Sequence, residues 1–147
     1  MTVDPRCKES FDRQGLMMLL GAELVEAAEG CAAIEVPYRE DLTQQHGYFH
    51  GGVVTAIADT ACGYAAYTTM PEDSSVLTVE FKINLVNPAA GDRLRAEATV
   101  RKAGRTLVVV AATVFAIRGD KSVACGEMLG TFIVLRDTSD VQPRVLA

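Results

Sequence analysis

Apolar and polar positions change rhythm several times along the chain, and each change predicts an element. Residues 1–8 read as a loose terminus. Ser10 to Leu20 predicts a short helix, with Ser10 as N-cap and Gly21 just past its end. Two short strands are expected next, Glu23 to Ala28 and Ala32 to Tyr38. In the second, Ala32, Ile34 and Val36 alternate with Ala33 and Glu35. Residues 39–49 are polar and irregular. From Gly51 to Met70 the chain turns Ala-rich, which predicts a helix roughly 30 Å long. This helix is apolar on almost every side, so burial nearly all round is expected. Asp59 in its middle argues against a membrane span.

Pro71 to Ser74 ends the helix. Long strands are predicted at Val76 to Val86, Asp92 to Lys102, Arg105 to Arg118 and Lys121 to Leu135. Their connections, Asn87 to Gly91, Ala103-Gly104 and Gly119-Asp120, carry turn chemistry, so the strands are expected to form an antiparallel meander. The second of them places Leu94, Ala96, Ala98 and Val100 on one face and Arg93, Arg95, Glu97, Thr99 and Arg101 on the other. The third and fourth are apolar on both faces, as central strands or an interface would be. Strands this long, strongly twisted, curl around something, and the only apolar element to wrap is the helix. The expected fold is α+β: a long curved antiparallel sheet around one buried helix. It forms a single domain over 1–147, with a core at about residues 15–135 and flexible termini. The tail from Asp137 onward is expected to be loose.

Composition narrows the function classes. The chain has 147 residues, 49% of them hydrophobic, which is enough for a real core. A net charge of −5 argues against general nucleic-acid binding. The four cysteines, Cys7, Cys31, Cys62 and Cys125, form no C-x-x-C pair and predict reduced thiols. The apolar stretch Leu16 to Leu20 is too short for a signal core or a membrane span, so a cytoplasmic protein is expected.

Asp59 is the most informative residue. Burying a carboxylate on an apolar helix costs several kcal/mol unless it is paired or hydrogen-bonded. No Lys or Arg lies between Arg39 and Lys82 to pair with it, and Thr55, one turn earlier, is the expected donor. His50-Gly51-Gly52 stands at the helix start, where amides without internal partners favour negative charge. Glycines there leave the amides uncovered, as an oxyanion site needs. Gly51 and Asp59 are separated by about 12 Å along one helix, too far to act on one carbon. Two antiparallel copies of the helix would bring them together, which predicts a homodimer with shared sites.

The run Gln44-Gln45-His46-Gly47-Tyr48-Phe49-His50-Gly51-Gly52, with Asp59 nine residues after His50 and Thr78 to Asn84 downstream, resembles the hotdog-fold thioesterases of the phenylacetate-degradation (PaaI-like) type. The resemblance covers roughly Gly15 to Leu135 by element order. It implies hydrolysis of an acyl-CoA without metal or cofactor. Asp59 would be general base or nucleophile, and the Gly51 amide would polarise the carbonyl. His50 would orient the loop, and the Thr78 hydroxyl would hold water. Gln44 stands where the family often has Asn; it keeps the amide that places leaving group or water, on a stem longer by one methylene. The family also implies dimers that pair into a homotetramer.

Weaker signals remain. Tyr48 and Phe49, with Gly52, are candidates for lining the substrate pocket, or aromatic seals of the dimer. Arg101, Lys102 and Arg105, around Gly104, either bind coenzyme A phosphates or form a solvated basic hairpin. His46 and His50 are four apart, but Gly47 stands where a zinc protease carries Glu and no third ligand is evident, so no metal is expected. No G-x-S-x-G elbow, P-loop or dinucleotide fingerprint is present. Two alternatives stand beside hydrolysis. A hydratase or dehydratase on the same fold carries a D-x-N-P-x-H pattern, which is absent. A non-catalytic acyl-CoA binding module is the other.

Overall fold

The computed structural model describes residues 1–138 and 140. Its elements, in chain order, are α1 (Pro5–Phe11), α2 (Gly15–Leu20), β1 (Glu23–Ala28), β2 (Cys31–Pro37), a 3-10 turn (Glu40–Leu42), α3 (Gly51–Tyr67), β3 (Ser74–Leu85), β4 (Arg93–Ala103), β5 (Leu107–Arg118) and β6 (Lys121–Arg136). The six strands form one antiparallel sheet in the order β1-β2-β4-β5-β6-β3, and α3 packs against its concave face. Ile57, Ala58, Ala61, Cys62, Ala65 and Ala66 of α3 are fully buried among Ile34, Leu94, Val110, Val114 and Phe132 of the sheet. The α+β architecture expected from the strand lengths is the one observed. β5 and β6, apolar on both faces, are interior strands.

Three expectations are corrected. The four long strands are not a simple meander. β4, β5 and β6 follow one another, but β3 pairs with β6 at the far edge. The reason is that a strand has only two edges, and those of β4 are taken by β2 and β5. The Asn87 to Gly91 connection therefore crosses the mouth of the sheet instead of closing a hairpin.

The N-terminus is part of the core. Asp4 caps α1, its side chain accepting from Arg6 N at 2.8 Å, and Pro5 occupies the first turn. Ser10 therefore lies inside α1 and caps nothing. Val3 bridges to Ala27, and Cys7 and Phe11 are buried. Arg6 donates to Tyr67 O (2.8 Å), Pro71 O (2.8 Å) and Met70 O (3.3 Å), closing the C-terminal end of α3. Gly21, at φ 67°, does end α2 as expected. The loose-tail expectation falls mainly on residues 139 and 141–147, outside the described residues.

Finally, α3 is not buried all round. Gly52 is exposed, and Thr55, Ala56, Asp59, Thr60 and Gly63 along the same face are half-buried. The sheet does not close over this face. The outer edge of β3 has no strand partner among the described residues. Apolar side chains stand open on that strand, with Leu77 57%, Val79 54% and Leu85 55% exposed.

Candidate active site

The loop before α3 is built to present the helix start. Phe49 N donates to Ala89 O (3.0 Å) and His50 N to Leu42 O (2.9 Å). Phe49 is buried, edge-on to Tyr38 with centroids 5.4 Å apart. Gln44 N donates to Tyr48 O (2.9 Å), and the Gln44 side-chain oxygen accepts from His46 N, so this amide braces the loop. His50 is the N-cap: its Nδ1 accepts from Gly52 N at 2.8 Å. Because Nδ1 accepts, the ring proton of neutral His50 sits on Nε2, facing outward from the cap.

That cap divides the free amides of the first turn. Val53 N and Val54 N donate to His50 O, and Gly52 N is taken by the ring. Among the described residues the Gly51 N–H has no acceptor. A cavity of about 330 Å³ opens here, lined by Gln44, Tyr48, Phe49, Gly51, Leu85 and Cys125 among others. At both glycines an added Cβ would force a neighbouring side chain to move. A Cβ on Gly51 would meet Leu85 Cδ1 at 2.8 Å, and one on Gly52 would meet His50 Nδ1 at 2.9 Å.

Asp59 belongs to a different cavity, of about 170 Å³, with Thr60, Gly63, Tyr64, Thr78 and Phe132. Thr78 Oγ1 donates to Asp59 Oδ1 at 2.8 Å. Thr55, the donor expected from helical spacing, instead gives its hydroxyl to Gly51 O at 2.8 Å, because the i−4 carbonyl is nearer than the next turn's side chain. A β-bulge at Val79 bends β3 immediately after Thr78. No ion pair neutralises Asp59 among the described residues. Burial therefore pushes its carboxyl above the ordinary value, and the Thr78 hydrogen bond only partly opposes this. The neighbouring Cys62 thiol is pushed up to about 12, by burial first and the Asp59 charge second, so it stays protonated near neutrality.

Gln44, His50, Gly51, Gly52, Tyr48 and Phe49 thus gather at the helix start, and Asp59 and Thr78 one-half helix away; the two cavities share no residue. Arg101, Lys102, Gly104 and Arg105 lie on the β4–β5 hairpin, which borders neither cavity of the same chain. Among the described residues no group of three or more His, Cys, Asp or Glu is placed to hold a metal ion, and no helix is long and apolar enough to cross a membrane. Sequence reasoning missed Ser10, Gln14 and Tyr64. Gln14 Nε2 donates to Tyr64 Oη (3.0 Å), and Tyr64 Oη donates to Ser10 Oγ (3.1 Å), beside the Asp59 cavity. Nothing in the local pattern links residues so far apart.

This sheet and its central helix define a known class. The family model of the thioesterase superfamily matches residues 46–123, a span holding His50, Gly51, Asp59 and Thr78. The chain belongs to the thioesterase superfamily and has its hotdog fold. A thioesterase family protein of Silicibacter pomeroyi has a similar crystal structure, at 44% identity and TM-score 0.87, covering 89% of this chain and 96% of that one. A Halobacterium salinarum protein provisionally named an esterase is 33% identical, covering 86% of this chain and 88% of its own. The acyl-coenzyme A thioesterase PaaI of Escherichia coli is 29% identical over 65% of this chain and 66% of its own.

Proposed function

We propose that the protein is an acyl-CoA thioesterase, acting as a homodimer with sites shared between two copies and pairing further into a homotetramer. The observation that carries this reading is the unneutralised Asp59 carboxylate, held by Thr78 on the open face of α3. It stands half a helix from the free Gly51 amide. An antiparallel second copy across that face would set each Asp59 against the other copy's helix start. The unpaired β3 edge and its exposed apolar side chains favour the same contact.

In this reading the thioester carbonyl oxygen accepts from the Gly51 N–H, where the helix dipole adds to the pull on developing negative charge. Asp59 of the facing copy takes a proton from a water that Thr78 helps to hold, and the oxygen of that water bonds to the carbonyl carbon. Collapse of the tetrahedral species breaks the C–S bond, and the thiolate recovers the proton from Asp59. Direct attack by Asp59, through a mixed anhydride cleaved by water, gives the same products. His50 fixes the amides of the first turn, and Gln44 braces the loop beside them. Tyr48 and Phe49 shape the cavity at the helix start; Gly52, expected to line it as well, does not border it and instead gives its amide to the His50 cap. Arg101, Lys102 and Arg105, flanking Gly104, are assigned to the coenzyme phosphates of a substrate bound across the dimer.

Relatives support the substrate class by name: PaaI of Escherichia coli is an acyl-coenzyme A thioesterase. All four cysteines are free thiols, which suits a cytoplasmic enzyme. The test is product analysis with short, medium, long and aryl acyl-CoAs. Free thiol and free acid are expected. An intact thioester with a new hydroxyl or double bond would indicate a hydratase or dehydratase, and binding without turnover would indicate a binding module.

A further inference from the structure

The cavity beside Asp59 has an unusual lining for a pocket next to an apolar helix. α1 and α2 bring Ser10 and Gln14 to it, and Tyr64 joins them through two hydrogen bonds. The network is not saturated. Ser10 Oγ accepts from Tyr64, which leaves its own O–H to give; Gln14 spends one N–H on Tyr64, which leaves its other N–H and its oxygen. Thr60, Asp59 and Asp140 add further polar atoms, Asp140 being paired with Arg13 at 2.8 Å.

Gly63 gives this cavity its room. It lies one turn beyond Asp59 on the same face of α3, about 6 Å along the axis. A Cβ there would meet only Phe132 Cε1, at an ordinary 3.8 Å, so packing does not demand glycine. Glycine in a helix interior is unfavourable, and here its effect is to leave space next to the carboxylate.

We infer that this cavity receives the acyl group of the thioester, and that Ser10, Gln14 and Tyr64 select acyl groups bearing a neutral hydrogen-bonding substituent, such as a hydroxyl, at the end remote from the thioester. The inference rests on the thioesterase reading above. A carbonyl carbon within reach of Asp59 must send its acyl group to one side and its sulfur to the other. The larger cavity at the helix start then takes the coenzyme arm. The cavity beside Asp59, about 170 Å³, is the smaller of the two, and the cavity at the helix start, about 330 Å³, has more room for the longer coenzyme arm. A plain alkyl chain would displace water from the polar wall without replacing its hydrogen bonds. A terminal carboxylate would meet Asp59 and Asp140. A hydroxyl can both accept from Gln14 and give to it.

The experiment is thiol release, as kcat/KM, from acetyl-CoA, hexanoyl-CoA and 6-hydroxyhexanoyl-CoA. Wild type, Gln14→Leu and Gly63→Ala are compared. Wild type is expected to prefer 6-hydroxyhexanoyl-CoA over hexanoyl-CoA by about tenfold, and Gln14→Leu to bring the two close to parity. Gly63→Ala is expected to lower the hexanoyl-to-acetyl ratio by about tenfold, while melting no lower than wild type. Thiol release with no hydroxyl preference, and with ratios that neither variant moves, would overturn the inference and leave the thioesterase reading standing. Absence of thiol release from any acyl-CoA would overturn both.

Discussion

Thr78 Oγ1 donates to Asp59 Oδ1 across 2.8 Å, tying the edge strand β3 to the middle of α3. This bond favours the carboxylate, while burial disfavours it, and burial is the larger effect. If ionised Asp59 is the working form, activity falls as pH drops through a value above the ordinary 3.8 of an aspartate. Thr78→Val removes the opposing hydrogen bond, so the acidic limb of the pH–rate profile should move to higher pH.

The same shift bears on stability. Between the unfolded value near 3.8 and the higher folded value, the native state binds more proton than the unfolded chain. Wild type should therefore lose stability as pH rises through that window, and Asp59→Asn should not. Denaturant titrations at acid and neutral pH check this: Asp59→Asn should gain relative to wild type as pH rises, and a constant difference would contradict it.

The cap at the helix start predicts a second effect. His50→Ala leaves Gly52 N without its 2.8 Å acceptor and should cost about 1 kcal/mol in chemical denaturation. Gly52→Ala should cost a similar amount, because its Cβ would stand 2.9 Å from the ring nitrogen.

Arg6 tests the role of the N-terminus. Its guanidinium serves three carbonyls at the end of α3 and lies 4.1 Å from the centre of the Tyr67 ring. Arg6→Ala should destabilise by about 2 kcal/mol, the worth of charge-assisted hydrogen bonds. Arg6→Lys should recover only part of this, since an ammonium lacks the planar fork.

These residues also show how far the sequence could be read. α3, its Asp59 and the long strands were legible because their periodicity and composition are local. The start of α1 was misread: Asp4-Pro5 is an N-cap followed by a proline suited to a first turn, yet residues 1–8 read as a loose end and Ser10 as the cap. The charge around it suggested a loose end only because its partners, Tyr67 to Pro71, lie far along the chain. The pairing of β3 with β6 was not legible. Asn87-Pro88 and Gly91 look like a hairpin turn, and only the occupation of both β4 edges shows that the chain must cross. Thr78 came from the resemblance to a family, not from spacing; helical spacing pointed to Thr55, whose hydroxyl is used by the Gly51 carbonyl. Ser10, Gln14 and Tyr64 meet only through tertiary packing.

Shared sites make a prediction about mixtures. Asp59→Asn and Gly51→Val proteins should each be inactive alone, since each spoils both sites of its own dimer. Random mixed dimers keep one intact site in half of the molecules, so co-expression should restore about a quarter of wild-type activity. No recovery in verified mixed dimers would place Gly51 and Asp59 of one chain in the same site.

The most direct measurement is thiol release from acyl-CoA by wild type and Asp59→Asn side by side, with folding and assembly of both confirmed. The predicted result is turnover by wild type and a loss of about a hundredfold or more in kcat for Asp59→Asn. A folded, assembled Asp59→Asn protein with full activity would contradict the account.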